Sequence, residues 1–208
     1  MNPLEIPEIV IRRLPLYLRA LKRMTEEGQS VTSSQEMASR LGISATQIRK
    51  DLSYFGEFGK QGTGYDTAFL RAQLEAILQV SKHWKVAVVG AGDLGCAVLR
   101  YSQFEDGGFI VAAVFDRDSQ KIGRQVGHYQ VLDVARLSAV VEEQGIRIAI
   151  LAVPAEEAQA VANSLVEAGV KGILSYAPMP LELPADIQVH YIDPVIGLQG
   201  MTYYLSPS

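Results

Sequence analysis

Gly90, Gly92 and Gly95 stand at fixed spacing in VVGAGDLGCAV, residues 88–98. In such a GxGxxG run the first glycine makes a tight turn and the second lets backbone N–H groups approach a pyrophosphate. The third lets the following helix pack closely on the strand before it. The start of that helix carries the partial positive charge that holds an anion. Asp116 closes the run FIVAAVFD twenty-one positions after Gly95, where an acid accepts from adenosine ribose hydroxyls and repels a 2′-phosphate. That favours NAD over NADP, although the adjacent Arg117 works against the repulsion. The expected dinucleotide set is Gly90, Ala91, Gly92, Asp93, Leu94, Gly95 and Asp116.

A second chemistry lies nearer the N-terminus. Ser33 with Glu36, and Ser44 with Gln47, each fit a capping box that starts a helix, and Gly42 between them suits a helix end. In the second of these helices Ile48, Leu52 and Phe55 share one face, which leaves Thr46, Arg49, Lys50, Ser53 and Tyr54 on the other. Hydroxyls, a guanidinium and an ammonium on one helix face are groups that bond phosphates and base edges. Directly after it, GEFGKQGTGYD places Gly56, Gly59, Gly62 and Gly64 at tight turns, with Lys60 near the tip of a short basic wing. The candidate DNA-contacting set is Ser44, Thr46, Arg49, Lys50, Ser53, Tyr54 and Lys60, on a helix-turn-helix of the kind that usually reads DNA as a dimer.

These sites need two kinds of scaffold. Up to about Gln79 the pattern is helical, opening with the amphipathic stretch IPEIVIRRLPLYLRALKRMTEEG, which Gly28 closes and Pro15 should start or kink. From Lys85 short apolar runs alternate with helical segments such as AEEAQAVANSLVEAG, the mark of a parallel sheet covered on both faces. The fold class expected is α/β: an N-terminal winged helix-turn-helix domain over 1–80, then a Rossmann-like, doubly wound parallel-sheet domain over 85–208. VSKHW at 80–84 is the expected linker.

The formal charge of the 208 residues is −4 and divides unevenly. Residues 1–80 hold ten Lys or Arg against nine Asp or Glu, and the remainder nine against fourteen. The first part is the better partner for an anion. The single cysteine, Cys96, excludes an internal disulfide and a cysteine-rich zinc site. No metal site is expected, and neither a signal peptide nor a membrane span, so the reading is cytoplasmic. His83, His128 and His190 have no paired acid at suggestive spacing, and little chain remains for a substrate domain, so no enzyme is expected.

RKDLSYFGEFGKQGTGYD, GAGDLGCAVLRY, and VFD followed by KIG closely resemble the Rex family of redox-sensing transcriptional repressors, over nearly the whole chain. The resemblance implies a homodimer with a winged-helix N-terminus, a Rossmann domain that binds NAD(H) as a sensed ligand, and a last helix exchanged between subunits. It implies binding to inverted-repeat operator DNA when NADH is scarce relative to NAD+, and release when NADH binds. By position, Arg49 and Lys50 match the family's DNA-reading pair and Lys60 its wing, while Gln61 departs from the usual basic residue. Tyr101 matches the tyrosine near the nicotinamide, and Arg19 and Asp193 a charged switching pair. Pro194 stands where some members carry an aromatic. Two alternatives remain open on the residues alone: a small NAD-dependent oxidoreductase, and a DNA-binding regulator of another nucleotide or CoA ligand.

Overall fold

The computed structural model describes residues 6–59 and 63–205. The chain forms two compact units, Met1–Ser81 and Lys82–Ser208. Among the described residues no helix is long and apolar enough to cross a membrane.

The first unit is built from α1 (Glu8–Glu26), β1 (Val31–Thr32), α2 (Ser34–Leu41), α3 (Ala45–Ser53), β2 (Tyr65–Asp66) and α4 (Thr67–Ile77). Leu14, Tyr17, Leu18, Leu21 and Met24 recur on one face of α1 and close over Met37, Ile48, Leu52, Leu70 and Leu74. The helix begins well before Pro15 and runs through it. Both Pro15 and Ile11, whose carbonyl loses its partner there, are exposed, so water can satisfy the freed group. Gly28 ends α1 at φ 78° as expected. Its N–H reaches the Thr25 carbonyl, and the Gln29 N–H reaches that of Met24, so two orphan carbonyls are satisfied. Ser33 Oγ accepts the Glu36 N–H at 3.1 Å and Ser44 Oγ the Gln47 N–H at 3.2 Å, and Gly42 takes the left-handed turn between the two helices. β1 and β2 pair antiparallel beside them and complete the winged helix-turn-helix.

One polar cluster crosses this core. Asp51, on α3, has no exposed surface, yet its carboxylate accepts from Arg13 Nε at 2.5 Å and Nη2 at 2.8 Å. Tyr17 Oη donates to it at 2.6 Å and Gln47 Nε2 at 2.7 Å. Burial pushes the Asp51 carboxyl up, but the bonds from Arg13, Tyr17 and Gln47 outweigh that and hold it below its ordinary value.

The second unit runs β3 (Trp84–Val89), α5 (Asp93–Leu99), α6 (Gln103–Asp106), β4 (Phe109–Asp116), β5 (Gln125–Val126), β6 (Tyr129–Asp133), α7 (Leu137–Gln144), β7 (Ile148–Leu151), α8 (Ala155–Glu167), β8 (Gly172–Ser175), β9 (Gln188–Tyr191) and α9 (Pro194–Leu205). Trp84, assigned to the linker from sequence, is instead the first residue of β3. Its N–H is tied to the Gly108 carbonyl at 2.8 Å.

The sheet has the order β5-β6-β4-β3-β7-β8-β9 and is parallel except at the β5–β6 hairpin. Alternate residues of β3 serve opposite faces. Val86 and Val88 pack with Val98 and Leu99 of α5, whereas Ala87 and Val89 pack with Leu137 and Val141 of α7 and Ala162 and Leu165 of α8. On the second face Ala87 lies level with Ala113 and Ala149 across the three central strands. This small row lets the helical layer, itself carrying Ala158 and Ala162, pack closely. α9 has no buried residue along its twelve positions: Ile196, Tyr203 and Tyr204 are 67%, 81% and 84% exposed.

Replacing Asp51 by Ala strands the half-buried Arg13 and should cost about 3 kcal/mol, read as a lower denaturation midpoint. Because the folded carboxyl is depressed, its contribution is complete above the ordinary carboxylate range. It should be lost as pH falls below about 4, and the variant should lack that part of the acid transition.

Candidate functional site

The DNA-facing candidates of α3 are brought together on one surface. Thr46, Arg49, Lys50 and Ser53 are exposed and Tyr54 is half-buried just past the helix. Arg49 is steered by Ser34 Oγ at 2.8 Å and Thr46 Oγ1 at 3.2 Å, which leaves other guanidinium donors to point outward. Ser44 is the N-cap, so its oxygen serves the helix first. At the wing base a Cβ on Gly59 would stand 2.5 Å from the Gly64 carbonyl oxygen, and one on Gly64 2.4 Å from that of Thr32. The two legs are thus pinched against β1 by glycines. Lys60, Gln61 and Gly62 lie outside the described residues.

Sequence reading missed Asp51, Arg13 and Tyr17 behind this surface. The available signal was an acid on the apolar side of α3, one position before Leu52 and three after Ile48. A charge there demands a buried partner.

In the second unit a cleft of about 980 Å³ opens beyond the C-terminal ends of β3, β4 and β7. The strand order reverses at β3, so this is the crevice where open α/β sheets take their ligands. Gly90, Gly92, Asp93, Leu94 and Asp116 line it. The three glycines differ in what surrounds them. A Cβ on Gly90, at φ 101°, would meet the Ala152 carbonyl oxygen at 2.2 Å, and one on Gly95 would meet that of Gly90 at 1.8 Å. A Cβ on Gly92 would meet nothing within 4 Å. Two glycines therefore hold backbone against backbone, and the third leaves open space at the mouth of α5.

The Asp116 carboxylate accepts the Ala91 N–H at 2.8 Å, the Asp118 N–H at 2.8 Å and Lys121 Nζ at 3.1 Å. Burial pushes this group up; the two backbone donors and Lys121 more than reverse it, and the carboxyl sits below its ordinary value. Cys96 Sγ rests 3.6 Å from the Ala91 carbonyl, under the loop.

Tyr101 does not line this cleft. It is 56% exposed beyond α5, edge-on to Phe104 with centroids 5.6 Å apart. Asp193 Oδ1 accepts the Val195 N–H at 2.8 Å and so caps α9, with Pro194 in the first helical position, where a missing N–H costs nothing. Arg19 is an exposed residue of α1 in the first unit. Sequence reading also missed Lys121, and the Arg117 Nη2–Glu157 Oε1 ion pair at 2.8 Å, both at the cleft.

Comparison with known proteins agrees with this division. Residues 5–53 match a family described as "Putative DNA-binding protein N-terminus", and residues 81–179 one described as "CoA binding domain". The redox-sensing transcriptional repressor Rex of Chloroflexus aurantiacus is 54% identical over 200 residues, 96% of this chain and 94% of that protein. Among solved structures, RSP in complex with β-NAD+ and operator DNA superposes with a TM-score of 0.91 at 35% identity, over 96% of this chain and 92% of that one. RSP in complex with β-NADH gives 0.87 at 33% identity, over 97% and 94%. On identity sustained over nearly its whole length, the chain belongs to the Rex family of redox-sensing transcriptional repressors.

Proposed function

We propose that this protein binds inverted-repeat operator DNA as a homodimer in the cytoplasm and lets go when NADH enters the cleft of its second unit. The observation that carries the reading is the glycine cradle. Gly90 and Gly95 are closed by backbone, while Gly92 faces open space beside the ionised Asp116. An adenosine diphosphate fits that arrangement: its pyrophosphate would meet the N–H groups of Gly92, Asp93 and Leu94, and its ribose hydroxyls Asp116. RSP, from the same family, is solved with each redox form of the nucleotide, and with operator DNA.

In this reading the nucleotide is measured and not consumed. Oxidised nicotinamide carries a positive charge that the reduced ring lacks. A dry pocket that offers the cation no partner therefore prefers NADH, and only such a difference in affinity can shift the protein between conformations. Tyr101, held edge-on by Phe104, is the side chain the family resemblance assigns to the ring, with Arg19 and Asp193 as the charged pair that responds. α9 suits an element exchanged between subunits, because a helix apolar all round must be covered by something. Each subunit then supplies one α3 surface, and Arg49, Lys50, Thr46 and Ser53 read a half-site while Ser44, Tyr54 and Lys60 secure the backbone. No catalytic role is assigned: His83, His128 and His190 are exposed and outside the cleft.

A gel-shift titration on an inverted-repeat site tests the whole reading: NADH should release the DNA at concentrations where NAD+ does not. Equal effects of the two nucleotides, or turnover of a hydride donor, would overturn it. Arg49→Ala with Lys50→Ala should weaken operator binding by roughly 100-fold, on about 1–3 kcal/mol per contact, with NADH affinity unchanged. Gly92→Ala adds a methyl to open space, so its melting temperature should stay within about 2 °C while NADH affinity falls by roughly tenfold or more.

A further inference from the structure

The side chains lining the cleft include five acids, Asp93, Asp116, Asp118, Glu156 and Glu157, against two cations, Arg117 and Lys121. Each cation is matched by a carboxylate. Arg117 Nη2 lies 2.8 Å from Glu157 Oε1. Lys121 Nζ lies 3.1 Å from Asp116 Oδ2 and 4.0 Å from Asp118 Oδ2. These pairs sit at the Asp116 end, where an adenosine ribose is placed by the reading above. From sequence, Arg117 beside Asp116 looks like a group that could hold a ribose phosphate. In the fold its guanidinium is drawn across to α8, where the 21% exposed Glu157 neutralises it.

We infer that Glu157, by engaging Arg117, makes the cleft reject adenosine ligands that carry a phosphate on the ribose, and so is a specificity-determining residue. This rests on the dinucleotide reading proposed above. A ribose phosphate would approach Asp116 and Asp118 with no uncommitted cation beside them, and like charges at short range in a partly buried site are costly. The unphosphorylated ribose pays no such penalty, because its hydroxyls donate to Asp116. The ion pair matters here for where it holds the guanidinium; with Arg117 70% exposed it adds little to stability. The excluded class has two sources, the 2′-phosphate of NADP(H) and the 3′-phosphate of CoA, and the second separates this cleft from the ligand named in the family matched over residues 81–179.

The test is calorimetric titration of the full-length protein with NADH, NADPH and CoA. The wild type should bind NADH and take NADPH and CoA far more weakly. Glu157→Gln removes one negative charge and frees Arg117, and should tighten NADPH, CoA or both by about tenfold while NADH stays within about twofold, one charge-assisted hydrogen bond gained. A gain for NADPH alone or CoA alone supports the inference and says which hydroxyl Arg117 reaches. Adding Arg117→Ala to that variant should abolish the gain, and Glu157→Asp, which keeps the charge, should resemble the wild type. Retained NADH binding in Glu157→Gln reports an intact cleft. If it binds NADH but gains for neither phosphorylated ligand, or the gain survives loss of Arg117, the inference fails alone. A wild type that binds no NADH overturns both this inference and the reading beneath it.

Discussion

The second unit is organised around a contact that admits no side chain. Gly95 is pressed against the Gly90 carbonyl, and Gly90 against that of Ala152, so the end of β3, the start of α5 and the end of β7 touch backbone to backbone. That closeness aims the first N–H groups of α5 into the cleft at the point where the strand order reverses. The same economy continues beneath it in the row Ala87, Ala113 and Ala149, which brings the helical layer down onto the sheet. Larger residues at any of these places would move the layer, and the cleft with it.

The first unit meets a different need with a polar device. Ile48 and Leu52 hold α3 to the core, but apolar contacts are non-directional and leave rotation about the helix axis loosely set. The carboxylate of Asp51, taken by two Arg13 nitrogens, Tyr17 and Gln47, fixes that rotation through hydrogen bonds whose angles matter. Arg49 is then steered by Ser34 and Thr46 on the outward side. A surface proposed to match base edges needs its register fixed from behind, and a buried charge can do this although it adds little net stability.

Much was legible in the sequence because it is local. GxGxxG followed by an acid and two Ser-led helix starts around Gly42 each express a rule about neighbouring residues, and their backbone consequences are found where expected. Less legible were features set by residues far apart in the chain. β6 escaped the sequence reading because Tyr129–Asp133 is short and only Val131 in it is buried. Trp84 was taken for linker because its strand pairing lies with Phe109 and not with its neighbours. Pro15 was read as a start or a kink, because sequence shows the missing N–H but not that the freed carbonyl faces water.

The sequence by itself determined the two fold types, the helix that shows polar groups outward, and the glycine cradle with its acid, since each follows from periodicity or from the steric limits of adjacent residues. Only the tertiary structure decided how the charges are spent. Asp51 is separated from Arg13 by thirty-eight positions, and Glu157 lies forty residues beyond Arg117, distances across which no local pattern speaks. Packing brings them within hydrogen-bonding reach. It turns Asp51 from a surface acid into the pin behind the α3 surface, and Arg117 from a free cation into one neutralised by a second helix.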